Sequence, residues 1–454
     1  MLSQDFTRRM KDLLGDEYDA FMRELELPSV KGVRINRTKL KDYSDGDFKN
    51  FSLTPISYAD DCYVIDSYSG IGHTPEHHAG IFYVQDPGAM ATVGALKIKR
   101  GWKILDLCAA PGGKSGQAIA RAGDEGFILA NEYVPKRAKI LVSNFERLGI
   151  KNAIVTSLDT AVFREMFENY FDLVIADAPC SGEGMFRKNE ESVSEWSLDN
   201  VKACAKRQRE ILENASTLVK DGGYLLYSTC TYSIEENEAI VSAFLKAHVD
   251  YTLEDVNPEI EKITTDGVNF KGEMTTSIYK TRRFYPHVSK GEGQYIALLK
   301  RHGAELKEKI LYKDASKAPS ASEISIIEDF FKKNLSRIPC GKIRKYGENL
   351  VLISHGIPLP SKSVFSSGVL IGEIRGKNLF PAHHFFSAYG DLFVRRLELS
   401  SDTDRLGKYL SGEEIDAFEL ENGFAVVTYM GASVGGGKVS FGKMKNHYPK
   451  GLRE

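Results

Sequence analysis

Between positions 103 and 299 short apolar runs, rich in β-branched and aromatic residues, alternate with longer stretches whose apolar positions recur every three or four residues. The short runs predict strands at 103–107, 127–131, 153–156, 171–176, 223–228 and 294–299. The longer ones predict helices at about 115–122, 134–148, 199–220 and 235–247. FDLVIA at 171–176 is apolar at nearly every position, which implies a strand buried on both faces. The expected class is therefore α/β, with a Rossmann-like, doubly wound sheet covered by helices.

The flanks read differently. Ahead of the core lies an α+β segment in which Phe6, Met10, Leu13 and Leu14 fall on one helical face and VRIN at 33–36 reads as a strand. Asp86 followed by Pro87 has the form of an N-cap and first helical residue, opening a helix that leads into the core. Behind the core, 301–322 is polar and charged and reads as a connection. A short helix is expected at about 323–333, then a Gly-rich region of short strands from about 364 to 450, a small barrel or sandwich. The expected division is 1–90, 91–301, 302–360 and 361–454.

A length of 454 residues exceeds one ordinary hydrophobic core and supports this division. With 42% hydrophobic and 27% charged residues, the composition is that of a soluble globular protein. The start carries no apolar run suited to a signal peptide, and no stretch approaches the roughly 18 apolar residues of a bilayer span, so a cytoplasmic location is expected. The six cysteines, at 62, 108, 180, 204, 230 and 340, include no C-x-x-C pair and no zinc-type spacing, and are expected to be free thiols. No metal is expected. His73 and His77 are separated by Pro75, and the pairs His77-His78 and His383-His384 read as surface or RNA-facing groups.

The net charge of −2 does not advertise a polyanion partner, but local basic segments exist. One holds Lys280, Arg282, Arg283 and Lys290. The other holds Lys438, Lys443, Lys445, Lys450 and Arg453, with Phe441, His447 and Tyr448 among them and no acid until Glu454. Each is a solvated face unless other motifs give it a nucleic acid to bind.

Such motifs are present. LDLCAAPGGKSGQ runs from the first core strand into a helix, and its Gly112-Gly113 turn lets backbone N–H groups approach a ligand at a helix N-terminus. A phosphate-binding P-loop would need Gly where Cys108 stands, and a dinucleotide fingerprint would need a different glycine spacing, so both fail. What remains is a ligand with a carboxylate for the turn and a ribose for a later acid. Glu132, at the end of the second strand, can accept from two ribose hydroxyls. Asp159, after the third strand, can hold an adenine amino group.

Cys180 in DAPCSGEG and Cys230 in YSTCTYS follow neighbouring predicted strands, so both thiols are expected at the sheet's carboxyl edge, where open α/β sheets bind ligands. A lone cysteine would most simply be packing, but two in Gly/Ser/Thr turns, one of them near Asp177, suit covalent chemistry. Carbon 5 of cytosine is a poor nucleophile, and a thiolate added at carbon 6 makes it enamine-like. Asp177 could stabilise or protonate ring nitrogen 3, and a second thiol could serve product release.

In CAAPGGK (108–114), DAPCSGEG (177–184) and STCT (228–231), taken in that order, the chain resembles the Nop/Sun family of RNA 5-methylcytosine methyltransferases. The resemblance implies a class I methyltransferase core that uses S-adenosylmethionine. It implies that Cys108, Ala109, Ala110, Pro111, Gly112, Gly113, Lys114, Glu132, Asp159 and Asp177 bind the cofactor or shape its pocket, with Arg137 at a basic position of the family. It also implies that Cys230 is the nucleophile and that Cys180 assists release. RINRTK (34–39), HAGIFYVQDPGAM (78–90), RRFYPH (282–287), GEGQYIALL (291–299) and KNHYPKGLR (445–453) are similar to the bacterial RsmF-like branch. That branch carries a PUA-like RNA-binding part and modifies cytosine near the decoding site of 16S ribosomal RNA. The implied partner is thus ribosomal RNA or the small ribosomal subunit, with Lys438, Lys443, Lys445, Lys450, Arg453, Arg282 and Arg283 as RNA contacts and a monomer as the working form.

Two alternatives stay open at this stage. The same chemistry could act on transfer RNA or DNA, and a DNA-type enzyme would use the Pro-Cys cysteine, Cys180, as nucleophile. A non-catalytic RNA-binding protein with this fold would be expected to have lost a catalytic residue. A zinc deaminase is excluded, because Glu183 stands where its second P-C-x-x-C cysteine would be.

Overall fold

The computed structural model describes residues 2–65, 70–272, 274–303, 307–354 and 356–453. Its centre is a twisted sheet in the order Thr265–Asp266, Arg282–Phe284, Gln294–Arg301, Val219–Thr229, Phe171–Asp177, Lys103–Asp106, Phe127–Asn131, Ala153–Thr156, Val364–Ser367. The five strands from Val219–Thr229 to Ala153–Thr156 run parallel, and Gln294–Arg301 runs antiparallel to its neighbour. Chain order reverses between Lys103–Asp106 and Phe171–Asp177, which is where such a sheet opens a crevice at its carboxyl edge.

Strand periodicity explains why both faces are dry. Leu105, Leu129, Val174, Ala176, Leu225 and Tyr227 face one layer of helices, and Ile104, Ile128, Ala130, Leu173, Ile175 and Leu226 face the other. Helices Gly113–Ala122, Pro135–Leu148, Leu198–Ala215 and Glu238–Ala247 cover them. The third ends five residues before its expected limit because Val219, wholly buried, pairs with Phe171 and begins the next strand early.

Ahead of the core, helix Gln4–Leu14 buries Phe6 and Met10 against Trp196, Tyr232 and Tyr285, while Leu13 and Leu14 are only partly covered. A four-stranded antiparallel sheet follows, ordered Leu53–Pro55, Cys62–Ile65, Lys31–Ile35, Phe82–Gln85. Asp86 caps helix Pro87–Gly94 as its sequence predicts, its carboxylate accepting from Gly88 N at 2.8 Å.

Beyond the core, helix Ala321–Asn334 starts with a Ser320/Glu323 capping box. The chain then forms two separate sheets, the first of them starting ahead of the single strand-rich region expected from about 364. Strands Lys342–Tyr346, Asn349–Ile353, Val369–Arg375 and Asn378–Pro381 make the first, so the expected limit at 360/361 cuts through it. Between them, Val364–Ser367 leaves to pair with Ala153–Thr156 at the edge of the central sheet. Five strands from Arg396–Glu398 to Lys443–Asn446 make the second. Turn glycines mark where strands stop, but pairing is decided by partners remote in sequence.

The ends of the chain meet. Val33, Ile35 and Phe82 share one apolar core with Leu397, Val427 and Met444. Lys39 Nζ donates to Ser387 O, Ser387 Oγ and Ser433 O at 2.7–2.9 Å, and His78 contacts the Tyr448 hydroxyl at 2.9 Å. His384, expected at the surface, is buried and lies 3.0 Å from Ile150 O. His77 and His383 sit at the same seam, and burial pushes both imidazoles down to about 3. These rings pack at the seam between the units.

Candidate active site

The loop after strand Lys103–Asp106 is held on all sides. Ala109 N donates to Asn131 O at 2.7 Å, while Arg137 and Asn144 donate to the carbonyls of Ala110 and Pro111 at 3.0 and 2.8 Å. Gly112 has φ +110°, and a Cβ there would lie 2.9 Å from Leu141 Cδ1, so position and conformation both require glycine. At Gly113 a Cβ would meet Tyr83 and Gln85 at 3.0–3.1 Å. Both glycines thus let the loop pack closely on Leu141, Tyr83 and Gln85, and the backbone N–H groups at the start of helix Gly113–Ala122 form a cradle suited to an anionic group.

Glu132, 3% exposed, takes Val134 N at 3.0 Å, and Arg137 stands 3.5 Å from its other oxygen. Asp159 is exposed at the crevice side of the third strand, capping Ala161 N at 2.9 Å. These residues suit a ligand with one carboxylate, a ribose and an adenine.

Four residues that the sequence did not single out hold this site together. Asp106 is buried at the strand end, accepting from Ser115 Oγ at 2.5 Å and from Cys108 N at 3.2 Å; burial raises its carboxyl to about 7. Asn131, wholly buried, donates to Leu107 O and Leu158 O and accepts from Thr156 Oγ1 and Leu158 N, using every polar atom of its amide. Glu183 and Glu236 lie behind the cysteine loops. An acid in an apolar strand, as in LDL, is a signal for Asp106; nothing local marks the two glutamates.

At the switch point, Asp177 accepts from Lys114 Nζ at 2.7 Å and from Ser228 Oγ at 2.6 Å. Burial pulls the Lys114 ammonium down, and attraction to Asp177 outweighs it, leaving the group raised. Three residues beyond Asp177 and two beyond Ser228, the sulfurs of Cys180 and Cys230 stand 3.1 Å apart, both half-buried. The hydrogen bond to Cys230, aided by burial, pushes the Cys180 thiol well above its ordinary value. Two thiols, a carboxylate and an ammonium thus converge beside the glycine cradle.

Residues 93–300 match the family model for 16S rRNA methyltransferase RsmB/F, residues 2–87 that for the N-terminal domain of 16S rRNA methyltransferase RsmF, and residues 396–454 that for the methyltransferase RsmF PUA domain. The chain belongs to the RsmF family of methyltransferases. It is 29% identical to the ribosomal RNA small subunit methyltransferase F of Aeromonas salmonicida, across 96% of this chain and 93% of the relative. A Vibrio cholerae protein of the same name is 36% identical over 53% of each chain. Among solved structures, a methyltransferase homolog protein from Pyrococcus horikoshii is 28% identical with a TM-score of 0.57, covering 66% of this chain and 95% of that one. The Rossmann-like core is accordingly a methyltransferase core, and the last sheet of this RsmF-family chain is its PUA domain.

The basic residues divide sharply. Lys438 and Lys445 are exposed and directly opposite one another on paired strands, a like-charge pairing that costs stability unless an anion lies across it. With Lys345, Arg375, His447 and Arg453 they line a groove of about 1100 Å³. Lys443 is exposed but paired with Asp416 at 2.9 Å, Lys450 is exposed, and Arg453 also donates to Tyr448 O. Lys290 is exposed, and Lys280 pairs with Asp255.

Arg282 and Arg283 do not belong to an RNA surface. Arg283 is buried against Glu238, Tyr232 O and the Tyr285 hydroxyl, and Arg282 is buried against Asp266 and Thr264. Strand alternation cannot tell a basic residue on a solvent face from one that meets a buried acid on another element. Among the described residues, no three His, Cys, Asp or Glu side chains converge as a metal site, and no helix is long and apolar enough to cross a membrane.

Proposed function

We propose that the chain methylates carbon 5 of a cytosine in 16S ribosomal RNA near the decoding site, through a transient bond between Cys230 Sγ and carbon 6 of the base. The observation that carries this reading is the pair of sulfurs 3.1 Å apart beside the Lys114-bound carboxylate of Asp177. Either sulfur can donate across this contact; the resemblance assigns Cys230 as the nucleophile, and a thiol at Cys180 within hydrogen-bond reach can stabilise its thiolate. Asp177 is suited to hold or protonate nitrogen 3 as charge builds there, and Lys114 fixes its orientation.

S-adenosylmethionine, when bound, supplies an electrophilic methyl group to the activated carbon. The residues fit it: the cradle at Gly112 and Gly113 suits its carboxylate end, Glu132 its ribose and Asp159 its adenine, with the 108–114 loop and Arg137 shaping the pocket. After transfer, the proton on carbon 5 passes to water, its bonding electrons re-form the carbon 5–carbon 6 double bond, and the carbon 6–sulfur bond breaks to leave Cys230 as thiolate, to which the Cys180 thiol can donate a hydrogen bond. Lys438, Lys443, Lys445, Lys450 and Arg453 are the candidate phosphate contacts.

Trapping on small-subunit RNA containing 5-azacytosine, followed by mapping of the cross-linked peptide, tests the assignment. A link at Cys230 is expected. A link at Cys180 would reverse the roles, and methyl transfer without any covalent link would overturn the mechanism.

A further inference from the structure

The two cysteine loops are not secured in the same way. The Cys230 loop has several independent anchors. Glu183 accepts from Thr231 Oγ1, Tyr232 N and Ser233 Oγ at 2.7–2.8 Å. Asn237 donates to Thr231 O at 2.9 Å, and Gly184 N donates to Cys230 O at 2.8 Å. The Cys180 loop is held at its base by Ala178 N donating to Ser228 O at 2.9 Å and by a 2.9 Å contact of Ser181 Oγ with Thr231 Oγ1, and its other bonds converge on one side chain. Ser181 N and Ser181 Oγ both donate to the carboxylate of Glu236, the first at 3.0 Å. Gln208 Nε2, which donates to Pro179 O at 3.0 Å, is itself bonded to Glu236 at 2.8 Å. Residues on either side of Cys180 are therefore tied to Glu236, which is completely buried and reaches Thr231 with a weaker contact of 3.4 Å.

Resting on the covalent mechanism proposed above, we infer that Glu236 is the positioning residue for Cys180: it touches neither substrate nor cofactor, and it holds the second thiol within reach of the first. The consequence is specific to one step. With Glu236 impaired, Cys230 keeps its anchors and still adds to carbon 6. Cys180 drifts, and breakdown of the methylated adduct slows. The bond that lingers is Cys230 Sγ to carbon 6; the proton still to be removed is the one on carbon 5. A displacement of about 1 Å costs on the order of 100-fold in such a step.

The test uses the full-length protein, S-adenosylmethionine and small-subunit RNA with ordinary cytosine, and follows two quantities: turnover, and the fraction of protein recovered as a denaturant-resistant RNA complex. Glu236→Gln is expected to lower turnover about 10-fold to 100-fold and to raise the trapped fraction. Gln208→Leu, which leaves the buried carboxyl in place, should move both in the same direction by less. Glu236→Gln added to Cys180→Ser should trap no more complex than Cys180→Ser alone, since both act on one step. If Glu236→Gln lowers turnover and trapping together, or adds to the Cys180→Ser effect, the inference is overturned. Failure of the underlying mechanism looks different: the wild type would then form no complex even on 5-azacytosine RNA.

Discussion

Lys114 Nζ lies 2.7 Å from Asp177 Oδ2, and this ion pair bridges the cofactor loop to the strand that carries Cys180. It also acts on Asp106, whose carboxyl is raised first by burial, further by Asp177, and is drawn down in part by Lys114. Lys114→Met should therefore raise Asp106 further from about 7, so that its carboxylate, which holds Cys108 N and Ser115, is lost at a higher pH. Turnover is expected to fall roughly 100-fold, with the acid limb of the pH–rate profile displaced upward; single-turnover methyl transfer across the neutral range measures both. An undisplaced limb would separate Asp106 from the pH response.

Gly112→Ala places a methyl group 2.9 Å from Leu141 Cδ1 at a φ of +110°. The strain of about 1–3 kcal/mol falls on the cradle, so affinity for S-adenosylmethionine should weaken about tenfold or more, the equivalent of ~1.4 kcal/mol. Calorimetric titration checks this, and unchanged affinity would mean the ligand carboxylate does not use the turn.

The groove lysines and the buried arginines should behave as opposites. Lys438→Ala with Lys445→Ala should weaken RNA binding at fixed salt, reduce the salt slope by about one per lysine, and leave turnover on saturating RNA unchanged. A slope equal to the wild type would remove this face from the RNA interface.

Arg283→Met should instead destabilise the fold by about 3–5 kcal/mol, because it leaves Glu238 buried without its partner. Replacing both, Arg283→Met with Glu238→Leu, should recover most of that loss in denaturant unfolding. A single variant of native stability would return Arg283 to the list of RNA contacts.

Burial lowers His384 from 6.5 to about 4, so the unfolded chain binds a proton there that the folded chain refuses. This contribution to stability is complete above pH 6.5 and is lost as the pH falls toward about 4. The buried carboxyls of Asp106, Glu146 and Glu236, raised to about 7, act with the opposite sign, stabilising at low pH and less so as the pH rises through 7. The comparison of wild type with His384→Gln isolates the imidazole: the variant's thermal midpoint should fall less steeply on acidification, and parallel curves would refute the assignment.

The alternation of strands and helices, the glycine cradle and the placement of two thiols at one sheet edge were legible in the sequence. They follow from side-chain period, from turn glycines and from the rule that ligands gather at the carboxyl ends of parallel strands. The buried acids behind the site were not legible. Glu236 reads as one more charge in IEENE until the fold sets it beneath Ser181, 55 residues away in the chain.

Sequence alone thus determined the fold class and the elements that carry the glycine turn, Asp177 and the two cysteines, because those are properties of short stretches and of residue type. Tertiary structure alone decided which charges are buried and which face outward, that Val364–Ser367 completes the central sheet, and that Lys39 locks onto Ser387 across 348 positions. The physical reason is the same throughout. Desolvation depends on what packs against a side chain, and that neighbour is usually brought from far along the chain.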